Sequence, residues 1–239
     1  MMRYLKILLI RHALSIGNLQ GRMEGQMEGA AATGLSPTGR QQAEQLSQTL
    51  IEAGSSSLPT HLYSSPLLRA AQTTAVLLTH LQHINHPVQH YLAHDLREVH
   101  PGIFQGLTWA EAQIRYPELC GQLLSSLTWQ PVPEAESLAA TRARASAWVK
   151  HILQTHRGGE TIWAVSHGGI LQQIISVMLG CDRTWKMPID HTAIFEFWLA
   201  ATPPSTAQPA SWQPLANDQF NPEYWHIRRF NDCSHLHQR

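Results

Sequence analysis

Three apolar stretches of this 239-residue chain end in residues that could do chemistry. "ILLI" runs into Arg11 and His12, "HLYSS" ends on Ser64 and Ser65 with Arg69 just beyond, and "TIWAVS" ends on Ser166 with His167 next. A guanidinium at the mouth of a core strand is costly unless something pairs with it. Two arginines and two histidines of this kind suit a tetrahedral, doubly charged anion such as a phosphate group. Arginine presents a rigid fork to phosphate oxygens, and helix N-termini favour negative charge. A neutral imidazole can attack phosphorus in line and form a phosphohistidine. The chain has no GxSxG and no GxxxxGK[ST], and histidine is the candidate nucleophile at these strand ends. Phosphoryl transfer asks mainly for positioning and charge stabilisation, which the surrounding cations supply.

These residues need a scaffold that brings strand ends together. "YLKILLI" reads as a strand, followed by a long glycine-rich loop. Ser36 and Pro37 then open a helix with Ala43, Leu46 and Leu50 on one face, stopped by Gly54. "HLYSS" reads as a short strand, and Ser65-Pro66 as the start of the next helix. "PVQHYL" is a strand, and Thr108 with Glu111 makes a capping-box pattern. "ESLAATRARASAWVKHILQTH" is a long helix ended by Gly158 and Gly159. "TIWAVS" is an uninterrupted apolar strand, and Gly168-Gly169 opens "ILQQIISVMLG", whose Leu171, Ile174, Ile175 and Met178 share a face. "AIFEFWLA" and "YWHIRRF" read as a strand pair around a Pro/Ser/Ala-rich loop, 202–222, expected to be mobile. Alternating strands and helices predict an α/β fold: a three-layer α/β/α sandwich around a mostly parallel sheet, with residues 1–239 as one domain. In such sheets ligands sit beyond the carboxyl ends of the strands, where Arg11, His12, Arg69 and His167 converge.

Composition narrows the class. Lys+Arg and Asp+Glu both number 17, so the basic excess of a nucleic-acid or membrane-surface binder is missing. Cys120, Cys181 and Cys233 stand far apart with no CxxC, which fits a reducing cytoplasm rather than a disulfide framework. The opening "MMRYLKILLI" is too short for a signal peptide and lacks a cleavage site. The 15 histidines crowd at His80, His83, His86, His90 and His94. Their spacing crosses Pro87, so ring directions change within the cluster, and a wet surface connection is favoured over a metal site.

"RHALSIGN", "SSPLLRAAQTTA", "LREVHPGIFQGLTW" and "VSHGG", in this order, resemble the histidine phosphatase superfamily, the phosphoglycerate mutase-like enzymes. "PEAES" and the closing "FNDCSHL" extend the likeness from about Met2 to Leu236. The resemblance implies that His12 is the nucleophile that becomes phosphorylated. It implies that Arg11, Asn18, Arg69 and His167 hold the phosphate, and that Glu98 protonates the leaving oxygen and then deprotonates water. It implies neither metal nor nucleotide cofactor. Burial and an adjacent anion both help a carboxyl keep its proton, which agrees with an acid role for Glu98.

Departures from the family pattern bear on the substrate. Ala13 replaces a usual glycine, and its methyl is expected to crowd the ligand. Leu14 replaces a polar residue at a position expected to face the leaving group. Mutases of the family carry paired arginines for a substrate carboxylate in an insertion after the acid, where this chain offers only Arg115. A phosphatase acting on a small phosphorylated metabolite is the favoured reading. Phosphoglycerate mutase-type transfer and a non-catalytic phosphate-binding protein are the alternatives. Arg22, Glu24, Arg115 and the loop near Trp109 are the candidate substrate contacts.

Overall fold

The computed structural model describes residues 4–29, 33–126, 130–181, 187–200 and 225–237. The loop 202–222 lies outside them. Six strands form one sheet in the order β3-β2-β4-β1-β5-β6. β1 (Tyr4–Arg11) pairs in parallel with β4 (Thr161–Ser166), which pairs in parallel with β2 (His61–Ser64), and β2 with β3 (Gln89–Leu92). β5 (Ile194–Ala200) runs antiparallel to β1, and β6 (Trp225–Asp232) antiparallel to β5. Side chains of a strand alternate between faces. Leu5, Ile7 and Leu9 of β1 accordingly join one core with Trp148, Ile152, Ile170 and Ile174. Leu8 and Ile10 join the other with Leu46, Leu50, Leu77 and Leu81. The sheet is therefore covered on both faces, which is why β4 is wholly buried, with Ile162 to Val165 an apolar run.

Local chemistry explains most helix starts. A single turn, α1 (Ile16–Leu19), is capped by Ser15, and α2 (Pro37–Glu52) by Ser36, whose hydroxyl accepts the Gly39 N–H at 2.9 Å. α3 (Leu68–His83) begins later than expected. Ser65 does not cap it; Leu67 occupies the cap without a side-chain bond, while the Ser65 hydroxyl accepts the Leu67 N–H at 3.3 Å and lies 2.8 Å from His167 Nε2. The capping box of Thr108 and Glu111 opens α4 (Trp109–Arg115). Sequence patterning gave no sign of α5 (Pro117–Ser125), which starts one residue after α4 because Pro117 ends one helix and fills the first turn of the next. α6 (Leu138–Thr155) and α7 (Gly168–Leu179) complete the set.

α4 and α5 build a small satellite core around Phe104, Leu107, Ala112 and Cys120. The segment holding Met23 is stitched to it, Met23 N–H to the Leu107 carbonyl and Gly106 N–H to the Met23 carbonyl, both at 2.8 Å. Among the described residues no helix is long and apolar enough to cross a membrane. The histidines of 80–94 do not converge, in line with a surface connection. His80 turns back to Glu44 at 3.2 Å, His86 Nε2 meets the Pro59 carbonyl, and His83, His90 and His94 are exposed.

Candidate active site

The carboxyl ends of β1, β2 and β4 open onto a cavity of about 500 Å³. Arg11 closes β1 in register with Ser166 of β4. Its Nη1 donates to the Ile189 carbonyl at 2.5 Å, and its Nε has no partner within the protein. His12 follows, only 2% exposed. Its Nδ1 lies 2.8 Å from the Ala13 carbonyl. A carbonyl only accepts, so Nδ1 carries the proton and Nε2 holds the lone pair. Burial, reinforced by His167, Arg69 and Arg11, holds the His12 pKa well below the usual histidine range, so the ring is neutral at neutral pH.

Arg69 reaches the same atom from the first turn of α3. Its Nε donates to His12 Nε2 at 3.2 Å, its Nη2 donates to the Gly25 carbonyl at 2.8 Å, and its Nη1 has no partner. His167, at the end of β4, stands with its ring 4.9 Å from that of His12. The Ser65 hydroxyl lies 2.8 Å from its Nε2, and its Nδ1 has no partner. Burial first, then Arg69 and Arg11, hold this ring neutral too. Three buried nitrogens around one imidazole, Arg11 Nε, Arg69 Nη1 and His167 Nδ1, thus lack partners. Each such group costs about 1–3 kcal/mol when left unsatisfied. Oxygens of a tetrahedral anion are the acceptors that this set fits.

Glu98 borders the same cavity. Its carboxylate accepts the N–H of Val99 at 2.8 Å, of Ile170 at 3.1 Å and of Gly169 at 3.2 Å, the last two at the start of α7. A Cβ on Gly169 would meet Glu98 Oε1 at 2.7 Å, so glycine there lets the carboxylate reach the helix N-terminus. A second carboxyl, Glu24, is 4% exposed. The Ser15 hydroxyl donates to its Oε2 at 2.5 Å, Arg69 Nε lies 3.7 Å from the same oxygen, and Oε1 has no partner. Burial pushes the Glu24 pKa up, against Ser15, Arg69 and Arg11, which pull it down. Gly17 makes room for it, since a Cβ there would fall 2.6 Å from Oε1.

Asn18 lines the cavity, and its Oδ1 accepts from His191 Nε2 at 3.0 Å. His191 was absent from the sequence expectations. Its ring lies 5.7 Å from that of His12, and burial lowers its pKa to about 3. The closing "FNDCSHL" fixes this loop. The Asp190 N–H donates to Asn231 Oδ1 at 2.9 Å, Asn231 Nδ2 donates to Asp190 Oδ2 at 2.7 Å, and His235 Nε2 lies 2.8 Å from Thr192 Oγ1. Arg22 lines the cavity with its Nη1 tied to the Gly106 carbonyl and Glu111. Arg115 stands exposed on the last turn of α4, away from the residues that line the cavity.

A model of the histidine phosphatase superfamily (branch 1) matches residues 7–203. This chain belongs to the histidine phosphatase superfamily. A metal-independent phosphoserine phosphatase of Arabidopsis thaliana is 31% identical over 170 residues, 71% of this chain and 66% of that protein. Phosphoglycerate mutase-like protein 4 of the same plant is 30% identical over 236 residues, 98% of this chain and 88% of that protein. Among solved structures, Bacillus stearothermophilus YhfR gives a TM-score of 0.73 at 21% identity, covering 97% of this chain and 98% of its own. A mycobacterial glucosyl-3-phosphoglycerate phosphatase gives 0.71 at 22%, covering 96% and 99%. These two likenesses speak for the fold alone.

Two departures of this histidine phosphatase superfamily member look different in three dimensions. Ala13 does not crowd the ligand: it is fully buried and clusters with Leu35 and Ala43, facing α2. Leu14 is not among the residues that line the cavity. Its N–H donates to Gln42 Oε1 at 3.0 Å, and its carbonyl accepts from Ser36, pinning it to the start of α2.

Proposed function

We propose that this histidine phosphatase superfamily member hydrolyses phosphomonoesters of small metabolites through a phosphohistidine on His12. The observation that carries the reading is the set of three partnerless buried nitrogens around His12 Nε2. In the first step Nε2 attacks phosphorus, the bond from phosphorus to the leaving oxygen breaks, and Glu98 gives that oxygen a proton. Arg11, Arg69 and His167 hold the non-transferring oxygens as charge redistributes, with Asn18 as a further donor. In the second step Glu98 takes a proton from water. The water oxygen bonds phosphorus, the bond to Nε2 breaks, and inorganic phosphate leaves.

Hydrolysis is favoured over mutase transfer because, among the described residues, the cavity lining offers no cation beyond Arg11, Arg69 and Arg22 for a substrate carboxylate. Arg22 is held by Glu111 and Gly106, and Arg115 points elsewhere. Beyond the phosphate site the lining is apolar, with Met23, Phe104, Trp109, Leu123 and Val132. Such a wall suits a leaving group with hydrocarbon or aromatic surface. The donors of the phosphate site are guanidinium and imidazole groups, so the proposed chemistry runs without metal, as the name of the phosphoserine phosphatase relative states for that protein. The free thiols of Cys120, Cys181 and Cys233 fit a single catalytic domain working in the cytoplasm.

The test is phosphate release from a panel of phosphorylated metabolites, run beside a phosphoglycerate mutase assay. Inorganic phosphate from one or more esters, without interconversion of the phosphoglycerates, is the expected result. Interconversion with no phosphate release would replace the phosphatase by a mutase.

A further inference from the structure

At the opposite end of the parallel strands from His12, the amino ends of β2 and β4 and the end of α6 bring together His61, Glu160 and His156. One ring nitrogen of each histidine and one oxygen of Glu160 all lie within 4.8 Å of one another. We propose that His61, His156 and Glu160 form a binding site for a divalent transition-metal ion of the zinc class, separate from the catalytic chemistry.

The geometry of the His156–Glu160 pair, the histidine buried and the carboxylate partly exposed, argues for an ion. His156 Nδ1 and Glu160 Oε2 are 3.2 Å apart. Two ligands bound at about 2.0 Å to one tetrahedral zinc stand about 3.3 Å apart. Each histidine is also oriented through its other nitrogen, as metal-binding histidines are. His156 Nε2 meets the Tyr63 hydroxyl at 2.9 Å. His61 Nδ1 meets Thr60 Oγ1 at 2.9 Å, which leaves Nε2 as its ligating nitrogen. Glu160 Oε2 is positioned by the Arg157 backbone N–H at 2.6 Å.

His156 is 2% exposed. With its Nδ1 on the metal, its proton sits on Nε2 and the Tyr63 hydroxyl accepts it. The two-nitrogen, one-carboxylate donor set suits zinc and its neighbours rather than magnesium or calcium. The cluster borders a second cavity of about 610 Å³, also lined by Tyr91, Trp148 and His151, which admits a water as fourth ligand.

The separation from the catalytic site is large. Glu160 and His167 bracket all of β4, about 20 Å of extended chain. Metal binding should therefore stabilise the fold by joining β2, β4 and α6, and should leave phosphate chemistry untouched.

Chelator-treated full-length protein, titrated with cobalt(II) and then zinc(II), tests this. One saturable site with the visible absorption of tetrahedral cobalt is expected, with displacement by zinc and a raised melting temperature. His61→Asn and Glu160→Gln should each weaken binding at least tenfold. Tyr63→Phe, which removes no ligand, should weaken it by about the 10–100-fold of a lost outer-shell partner. His80→Asn/His83→Asn should change nothing. Thermal unfolding of the metal-free variants shows whether they fold. If a variant does not fold, the tetrahedral cobalt spectrum of the parent decides. Absent or octahedral-only binding overturns the site. So does unchanged affinity in folded His61→Asn and Glu160→Gln, or loss of binding in the His80/His83 variant.

Discussion

Arg69 Nε donates to His12 Nε2 across 3.2 Å, so the candidate nucleophile and a candidate phosphate-binding fork share one hydrogen bond. Attack on phosphorus requires Nε2 to exchange that bond for one to phosphorus. The freed guanidinium is then already beside the oxygens it must hold. Arg69 is buried and anchored through Nη2 to Gly25, so its plane is fixed before the exchange.

Arg69→Lys keeps the charge but loses the planar fork. It should lower kcat/KM by about two orders of magnitude, roughly 3 kcal/mol, as for loss of one oxyanion donor. Steady-state kinetics on the best ester of the panel measures this, and near-parental activity would place Arg69 outside the phosphate site.

Glu98→Gln keeps size but cannot deliver a proton. Phosphorylation of the enzyme by alkyl phosphates should slow by about 10²–10⁴, the range of general acid catalysis. p-Nitrophenyl phosphate, whose leaving group hardly needs a proton, should phosphorylate the variant far faster than alkyl esters do. Single-turnover kinetics is the right measurement, because water activation in the second step also slows. Equal slowing with both substrates would make Glu98 a ligand-positioning group, with His100, which lines the same cavity, as the next acid to test.

Glu24 sets a pH dependence. It is buried beside Arg69 and Arg11 with Glu98 also in range, and burial raises its pKa. As pH rises through that value Glu24 ionises, and its charge then opposes an incoming phosphate dianion. Inhibition by inorganic phosphate should therefore weaken with rising pH in the parent and less steeply in Glu24→Gln. Identical pH profiles would make Glu24 a passive anchor of Arg69.

His191 links stability to acid. Its folded pKa of about 3 lies below the unfolded value of about 6.5. The unfolded chain therefore binds the extra proton between these values. Stability is fully present above about pH 6.5 and falls on acidification by at most about 1.4 kcal/mol per pH unit for this group. Denaturant melts from pH 7 to 4 should show a shallower decline in His191→Gln, and equal slopes would mean that His191 is charged in the folded protein.

Much of the candidate site could be read from the chain because parallel strands present their carboxyl ends to one rim. Arg11, His12, Arg69 and His167 follow apolar runs, so their convergence needed only the α/β pattern. His191 escaped notice because it precedes β5. That strand is antiparallel, which puts its beginning, not its end, at the rim. The burial of Glu24 depends on Gly17 and Ser15 folding around it, a loop property with no periodicity to betray it. Arg115 was grouped with the substrate contacts on sequence proximity, whereas the turn of α4 sends it outward. His156 and Glu160 are four residues apart, but His61 lies about a hundred residues away, and only the parallel pairing of β2 with β4 brings it beside them.

The central claim is covalent transfer to His12. Acid-labile, base-stable phosphate on the protein, trapped by rapid quenching from labelled substrate, tests it most directly. The proposed chemistry gives label on His12 in the parent, more of it in Glu98→Gln with a good leaving group, and none in His12→Ala. Undiminished labelling of His12→Ala would contradict it.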